Sequence, residues 1–218
     1  DDKPKLLWIG VEQYEEVLIQ APDGQMFSDC TESVLAANES YEQLVLPGVE
    51  YWQNKIPGIS NSAHNGFAIG DVNGDGLEDL YVCDGYSLPN QLYLQQLDGT
   101  LRDASAELGM NLLDNTSSAL LIDLDNDGDQ DLVIALRYNI LFFKNDGTGQ
   151  FTGESRFAGI NDPKSMAAAD YDEDGDLDVF VCGYSTSSSE TGILPQPIPY
   201  HDANNGLNNV LLRNDGDM

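Results

Sequence analysis

Residues 123–131 read Asp-Leu-Asp-Asn-Asp-Gly-Asp-Gln-Asp, DLDNDGDQD, and the chain uses this arrangement three times. Residues 71–79 read DVNGDGLED and residues 170–178 read DYDEDGDLD. The shared pattern is D-x-[DN]-x-D-G-x-x-D. Hard-cation chemistry calls for such a run, because calcium takes roughly six to eight oxygen ligands at roughly 2.3–2.6 Å. Alternate residues of a tightly wound loop can turn their oxygens toward one centre. The glycine supplies a turn that a side chain would obstruct. Without a cation the crowded carboxylates would repel one another and take up protons. The competing reading is an acidic, solvated hairpin turn. Three copies, each set between similar apolar runs, favour calcium.

The loop is not an EF-hand, which closes with a bidentate Glu at its twelfth position and is flanked by helices. The twelfth positions here are Val82, Ile134 and Val181. The ninth-position Asp runs directly into an apolar segment, DLYVC, DLVIA or DVFVC. Each loop is therefore expected to open into a β-strand. Runs that are apolar without alternation suggest strands buried on both faces.

Working outward, the first Asp residues of successive loops are 52 and then 47 residues apart. Four short strands per period of this size are the signature of a β-propeller built from four-stranded antiparallel blades. The expected fold is therefore all-β. Residues 1–218 are read as a single propeller region, with blades at 63–110, 116–160 and 164–218. A partial blade is read at 6–35, joined by a less regular connection over 36–62. Leu44-Val45-Leu46 there could form a short strand or an excursion from the repeat. Asp98-Gly99, Asn145-Asp146-Gly147 and Asn214-Asp215-Gly216 mark the outer turns. The innermost strand should favour small residues, which fits Ala68, Gly70, Ala119 and Ala167 to Ala169. About three and a half blades are present, and propellers close with about four to eight, so the chain is expected to be part of a larger ring of about seven.

The third blade is interrupted by a Ser/Thr-rich and then Pro-rich insertion at 184–208, the best candidate for a specific binding element. The bland alternative is a rim loop.

The formal net charge is −29, from 9 basic and 38 acidic residues, while 41% of residues are hydrophobic. Such a surface repels phosphate backbones and anionic lipid, so neither nucleic acid nor a membrane surface is an expected partner. No apolar run approaches the roughly 20 residues that a membrane-spanning helix needs. Cys30, Cys83 and Cys182 give no disulfide framework, and Cys83 and Cys182 end equivalent strands as buried thiols would. Two N-glycosylation sequons begin at Asn38 and Asn115. The two histidines, His64 and His201, have no evident catalytic partner, and no GxSxG or HExxH motif occurs. No enzyme is expected.

The blades resemble the FG-GAP/VCBS-type calcium repeats, and more closely the cartilage acidic protein (ASPIC/UnbV) family. The likeness lies in AIGDVNGDGLEDLYV followed by NQLYLQQLDGTLRDASAELG, in AADYDEDGDLDVFV, and in the tail NVLLRNDGDM. The resemblance implies three calcium ions held by side chains at loop positions one, three, five and nine. These are Asp71, Asn73, Asp75 and Asp79; Asp123, Asp125, Asp127 and Asp131; and Asp170, Asp172, Asp174 and Asp178. The seventh residues, Leu77, Asp129 and Asp176, would add a carbonyl. Asn73 replaces a carboxylate, so the first site should be the weakest. The resemblance further implies a secreted, extracellular or periplasmic protein for adhesion or surface and matrix recognition, with an extracellular protein or glycan as partner. A lectin-like propeller binding carbohydrate through Tyr86, Tyr184 or Tyr200 is one alternative. A non-catalytic part of a polysaccharide-acting enzyme is another.

Overall fold

The strand-forming runs on either side of each acidic loop pair as antiparallel hairpins, and each hairpin is extended outward by further strands. The computed structural model describes residues 27–56, 66–84, 88–183 and 208–216. The chain divides into two compact units, Asp1–Cys30 and Thr31–Met218. Only residues 27–30 of the first are described, and they form no strand.

The described residues of the second unit form three antiparallel sheets in sequence order. The first contains β1 (Phe67–Gly70), β2 (Asp79–Val82), β3 (Gln91–Gln95) and β4 (Leu101–Asp103) in the order β1-β2-β3-β4. The second contains β5 (Thr116–Ile122), β6 (Asp131–Leu136), β7 (Ile140–Asn145) and β8 (Phe151–Phe157), again in meander order. The third contains β9 (Pro163–Ala169), β10 (Asp178–Gly183) and β11 (Val210–Leu212). The first strands of the sheets lie side by side, β5 between β1 and β9.

Side-chain alternation divides the second sheet between two cores. Leu132, Ile134 and Leu136 of β6 pack with Ala68, Tyr81 and Leu92 of the first sheet. Val133 and Ala135 face the other way, into a core shared with Met166, Val179 and Val181 of the third. All of β6 is therefore buried, although adjacent residues point to opposite faces. Small inner-strand residues have a steric cause here. Ala68 and Ala119 are buried, and a Cβ on Gly66 would collide with the backbone of Ser117 and Ser118.

The outermost faces of the row are apolar and open. Phe67 and Ile69 project from the first sheet away from the second, 63% and 57% exposed. Phe180 and Leu211 do the same on the third sheet. Ala167 and Ala169 are exposed on this side too, unlike the buried Ala68 and Ala119.

The described residues 31–56, ahead of β1, are largely helical. They contain α1 (Thr31–Leu35), a π-helical turn (Tyr41–Val45) and α2 (Gly48–Lys55). Of the two readings open for Leu44-Val45-Leu46, the excursion from the repeat describes the structure, and α1 covers residues 31–35, the last five of the partial blade read at 6–35. Tyr41 precedes Leu44 and Val45 by three and four residues, which is helical spacing. The Trp52 indole N–H holds the turn by donating to the Leu44 carbonyl at 3.1 Å.

The fold takes up the acceptor of the first sequon and buries the middle residue of the second. Asn38 Nδ2 donates to the Leu101 carbonyl, and its Oδ1 accepts from the Asp103 N–H, each at 2.7 Å. Its amide thus continues the ladder beyond β4. Fully buried Thr116 accepts from Asn90 Nδ2 at 2.9 Å. Cys83 and Cys182 are free thiols, and burial pushes the Cys83 thiol up to about 12. The strands of the partial blade read from residue 6, His64, Tyr86, Tyr184, His201 and insertion residues 184–207 lie outside the described residues.

Candidate metal centre

Each acidic loop joins the first two strands of its sheet, so β-pairing fixes both loop ends. Between them the backbone turns left-handed at the fourth and sixth positions. At the sixth, Gly76, Gly128 and Gly175 have φ of 83°, 97° and 98°. At the fourth, Gly74, Asn126 and Glu173 have φ of 70°, 59° and 63°. The sixth-position glycine was legible from the pattern; the fourth position was not, because three different residues occupy it.

The ninth-position carboxylates anchor the loops. Asp79, Asp131 and Asp178 are essentially fully buried. One oxygen of each accepts from the loop's second N–H: Val72 at 3.0 Å, Leu124 at 3.0 Å or Tyr171 at 2.9 Å. The other accepts from a strand-three or adjoining backbone N–H: Gln95, Asn145 or Asn214, at 2.8, 2.8 and 2.9 Å. A carboxylate has roughly four lone-pair sites, so this leaves acceptor capacity for a cation. Burial is the main cause that pushes the Asp79 and Asp131 carboxyls above the ordinary range; their backbone donors oppose it.

The first-position Asp receives the wound loop. In the first loop, Asp71 Oδ1 accepts from the Asp75 N–H at 3.1 Å and Oδ2 from the Gly76 N–H at 2.8 Å. In the third, Asp170 accepts from Asp174 and Gly175 in the same way, at 3.1 Å each. The second loop differs. Asp123 Oδ2 accepts from the Gly128 N–H at 3.1 Å, but Oδ1 is buried and has no hydrogen-bond partner.

Carboxylate oxygens of Asp123, Asp125 and Asp131 lie within 4.8 Å of one another, as do those of Asp170, Asp172 and Asp174. These two clusters offer ligand atoms for a metal ion. The first loop, with Asn73 at position three, yields no such carboxylate trio among the described residues. Asp127 and Asp129 belong to the second loop beyond its trio, and Asp176 and Asp178 to the third. The side chains of Asp129 and Asp176 lean against the outer turns, since a Cβ on Gly147 or Gly216 would collide with them. An orphaned buried carboxylate oxygen in an all-oxygen donor set fits a hard divalent cation.

Two groups of functional residues escaped the sequence reading. Lys144, at the end of β7, donates to Asp125 Oδ2 and stands 3.8 Å from Asp127 Oδ2. Its hydrogen bond holds the Asp125 carboxyl below the ordinary range. Arg213, at the corresponding place beside Asn214, is 3.9 Å from Asp172 and pairs with Asp215 at 2.5 Å. The signal was the basic residue preceding Asn-Asp-Gly in both sheets, K-N-D-G and R-N-D-G.

The second group is the asparagines themselves, read only as turn residues. Asn145 Nδ2 donates to the Val72 carbonyl of the first loop at 2.8 Å. Asn214 Nδ2 donates to the Leu124 carbonyl of the second at 2.7 Å. Asn126 Nδ2 adds a bond to Asp176 Oδ1 at 2.7 Å. Successive loops are therefore tied into one row.

The FG-GAP-like repeat matches twice, at residues 71–134 and 123–181, spanning just over half of the chain. Each match begins on the first Asp of a loop and runs through the next loop. The chain belongs to the FG-GAP-like repeat family. No match was found among curated proteins. Among the described residues no helix is long and apolar enough to cross a membrane.

Proposed function

We propose that this FG-GAP-like repeat chain is an exported calcium-binding module for adhesion or for surface and matrix recognition, acting by binding and not by catalysis. The observation that carries the metal reading is Asp123 Oδ1, a buried carboxylate oxygen without a donor, beside Asp125 and Asp131. A bound calcium ion would supply positive charge and oxygen coordination, offsetting carboxylate repulsion within the loop. The chain's own residues would do the rest. Positions one, three, five and nine present carboxylates (Asn73 excepted), the seventh presents a carbonyl, and the ninth fixes the loop to strand three.

The three sheets are, in this proposal, successive blades of a β-propeller. Their side-by-side first strands and two intersheet cores support that arrangement. The open apolar faces at Phe67 and Ile69, and at Phe180 and Leu211, suit further blades in a ring of about seven. Within the family, AIGDVNGDGLEDLYV and the NVLLRNDGDM tail support a place near the cartilage acidic protein (ASPIC/UnbV) group. The partner is an extracellular protein or glycan, and the location is secreted, extracellular or periplasmic.

Thermal melts in calcium, in magnesium and in EDTA test the metal reading. Calcium should raise Tm by several degrees more than magnesium does, because a ligand that binds only the folded state stabilises it. Asp127→Ala and Asp174→Ala should each reduce that rise. No calcium-dependent shift in a folded chain would leave the loops as acidic turns. An array of glycans and matrix proteins, probed with calcium and with chelator, then tests recognition. Binding indifferent to calcium would separate the loops from partner recognition.

A further inference from the structure

We propose that Lys144 is a tethered competitor that lowers the cation affinity of the second loop and braces that loop when it is metal-free. The inference rests on the calcium reading of the loops. Lys144 extends from the end of β7, where the Asn145 N–H is fixed to Asp131 at 2.8 Å, so its starting point is set by the same carboxylate that anchors the loop. Its ammonium bonds Asp125 Oδ2 and lies 3.8 Å from Asp127 Oδ2, at loop positions three and five. Its side chain is 36% exposed, which leaves room to swing outward. A divalent cation drawing on Asp125 and Asp127 would meet this fixed positive charge, and only displacement of the ammonium relieves the repulsion.

The other sheets supply internal controls. Leu94 precedes the strand-three residue, Gln95, that bonds the first loop's anchor Asp79, so the first loop has an apolar residue where the second has a lysine. Arg213 takes this place in the third sheet, yet pairs more closely with Asp215 than with Asp172. Only the second loop has a basic side chain bonded to its third-position carboxylate among the described residues. Lys144 thus substitutes in part for a cation, at the site whose first-position oxygen lacks a protein donor.

The test is calcium titration by calorimetry on the full chain in an Asp71→Asn/Asp170→Asn background, which weakens the first and third loops. Lys144→Met should bind calcium about tenfold more tightly than Lys144, as removal of a unit charge near a divalent ion requires. Lys144→Arg should stay within about twofold. The advantage of Lys144→Met should shrink as salt rises. In EDTA, Lys144→Met should melt at a lower temperature, because the brace is gone. Lys144→Gln serves as a second charge-removing variant, with circular dichroism confirming folding. A lower melt in EDTA with unchanged affinity would make Lys144 a structural brace only and overturn the proposal. If neither the background chain nor the unsubstituted chain binds calcium, the calcium reading falls and the competitor role falls with it. Calcium binding that ignores Lys144 removes the competitor role alone.

Discussion

The first and second loops share a nine-position skeleton and differ in what they offer a cation. Both are anchored by a buried ninth-position Asp that accepts two backbone N–H groups. In the first, both oxygens of Asp71 are used by the loop's own backbone, and Asn73 stands at position three. In the second, Asp123 keeps one buried oxygen without a donor, Asp125 and Asp131 lie close by, and Lys144 leans in. The difference separates two roles within one motif. Anchoring is common to the repeats and belongs to the fold. What the loops offer a cation is graded: the second and third bring three carboxylates together and the first does not, and the second alone of these keeps a first-position oxygen without a donor among the described residues.

The largest expected effect tests the shared role. Asp131→Ala would leave the Leu124 and Asn145 N–H groups without their carboxylate partner in a buried site. Each orphaned donor costs about 1–3 kcal/mol, so a loss of about 3 kcal/mol is expected after the relief of burying one carboxylate less. Asp79→Ala should cost a similar amount through Val72 and Gln95. Urea unfolding in EDTA measures both. The comparison breaks if Asp79→Ala destabilises only in calcium, since anchoring would then be an indirect effect of metal.

The next effect tests the graded role. Asn73→Asp adds a third-position carboxylate to the first loop and should raise its calcium affinity about tenfold, as ligand charge tunes such sites. Calorimetric titration beside the unsubstituted chain reads this directly. An unchanged affinity would place the difference in the winding of the loop around Asp71 and not in the third ligand.

Much of this was legible in the sequence because period and pattern carry it. The loop spacing located the three hairpins, and strands such as Asp79–Val82 and Asp131–Leu136 lie where the apolar runs DLYVC and DLVIA put them. The carboxylates of the two clusters were also legible, since alternate positions of a short loop can turn toward one centre, as they do in the second and third loops. What was not legible depends on three-dimensional neighbours. Asn145 reads as a turn residue, yet its amide reaches the first loop's Val72, 73 residues away. Lys144 lies 19 residues from Asp125, and only the β6–β7 pairing brings it there. At Leu44-Val45-Leu46 the sequence leaves both a strand and an excursion from the repeat open, because three adjacent apolar residues suit either a strand or a helix.

The smallest expected effect concerns the fourth position, where Gly74, Asn126 and Glu173 all adopt positive φ. A side chain with a Cβ is strained there by about 1 kcal/mol or more, and asparagine tolerates it best. Glu173→Gly relieves the strain but frees the unfolded chain, which offsets part of the gain. A net stabilisation of about 0.5 kcal/mol is expected, read as a small rise in Tm in EDTA. Asn126→Gly should show no gain, because it gives up the bond from Nδ2 to Asp176 that joins the second loop to the third. If both substitutions stabilised equally, strain alone would govern the position and the Asn126–Asp176 link would carry no energy. If Glu173→Gly destabilised, the third loop would depend on its glutamate for more than backbone shape.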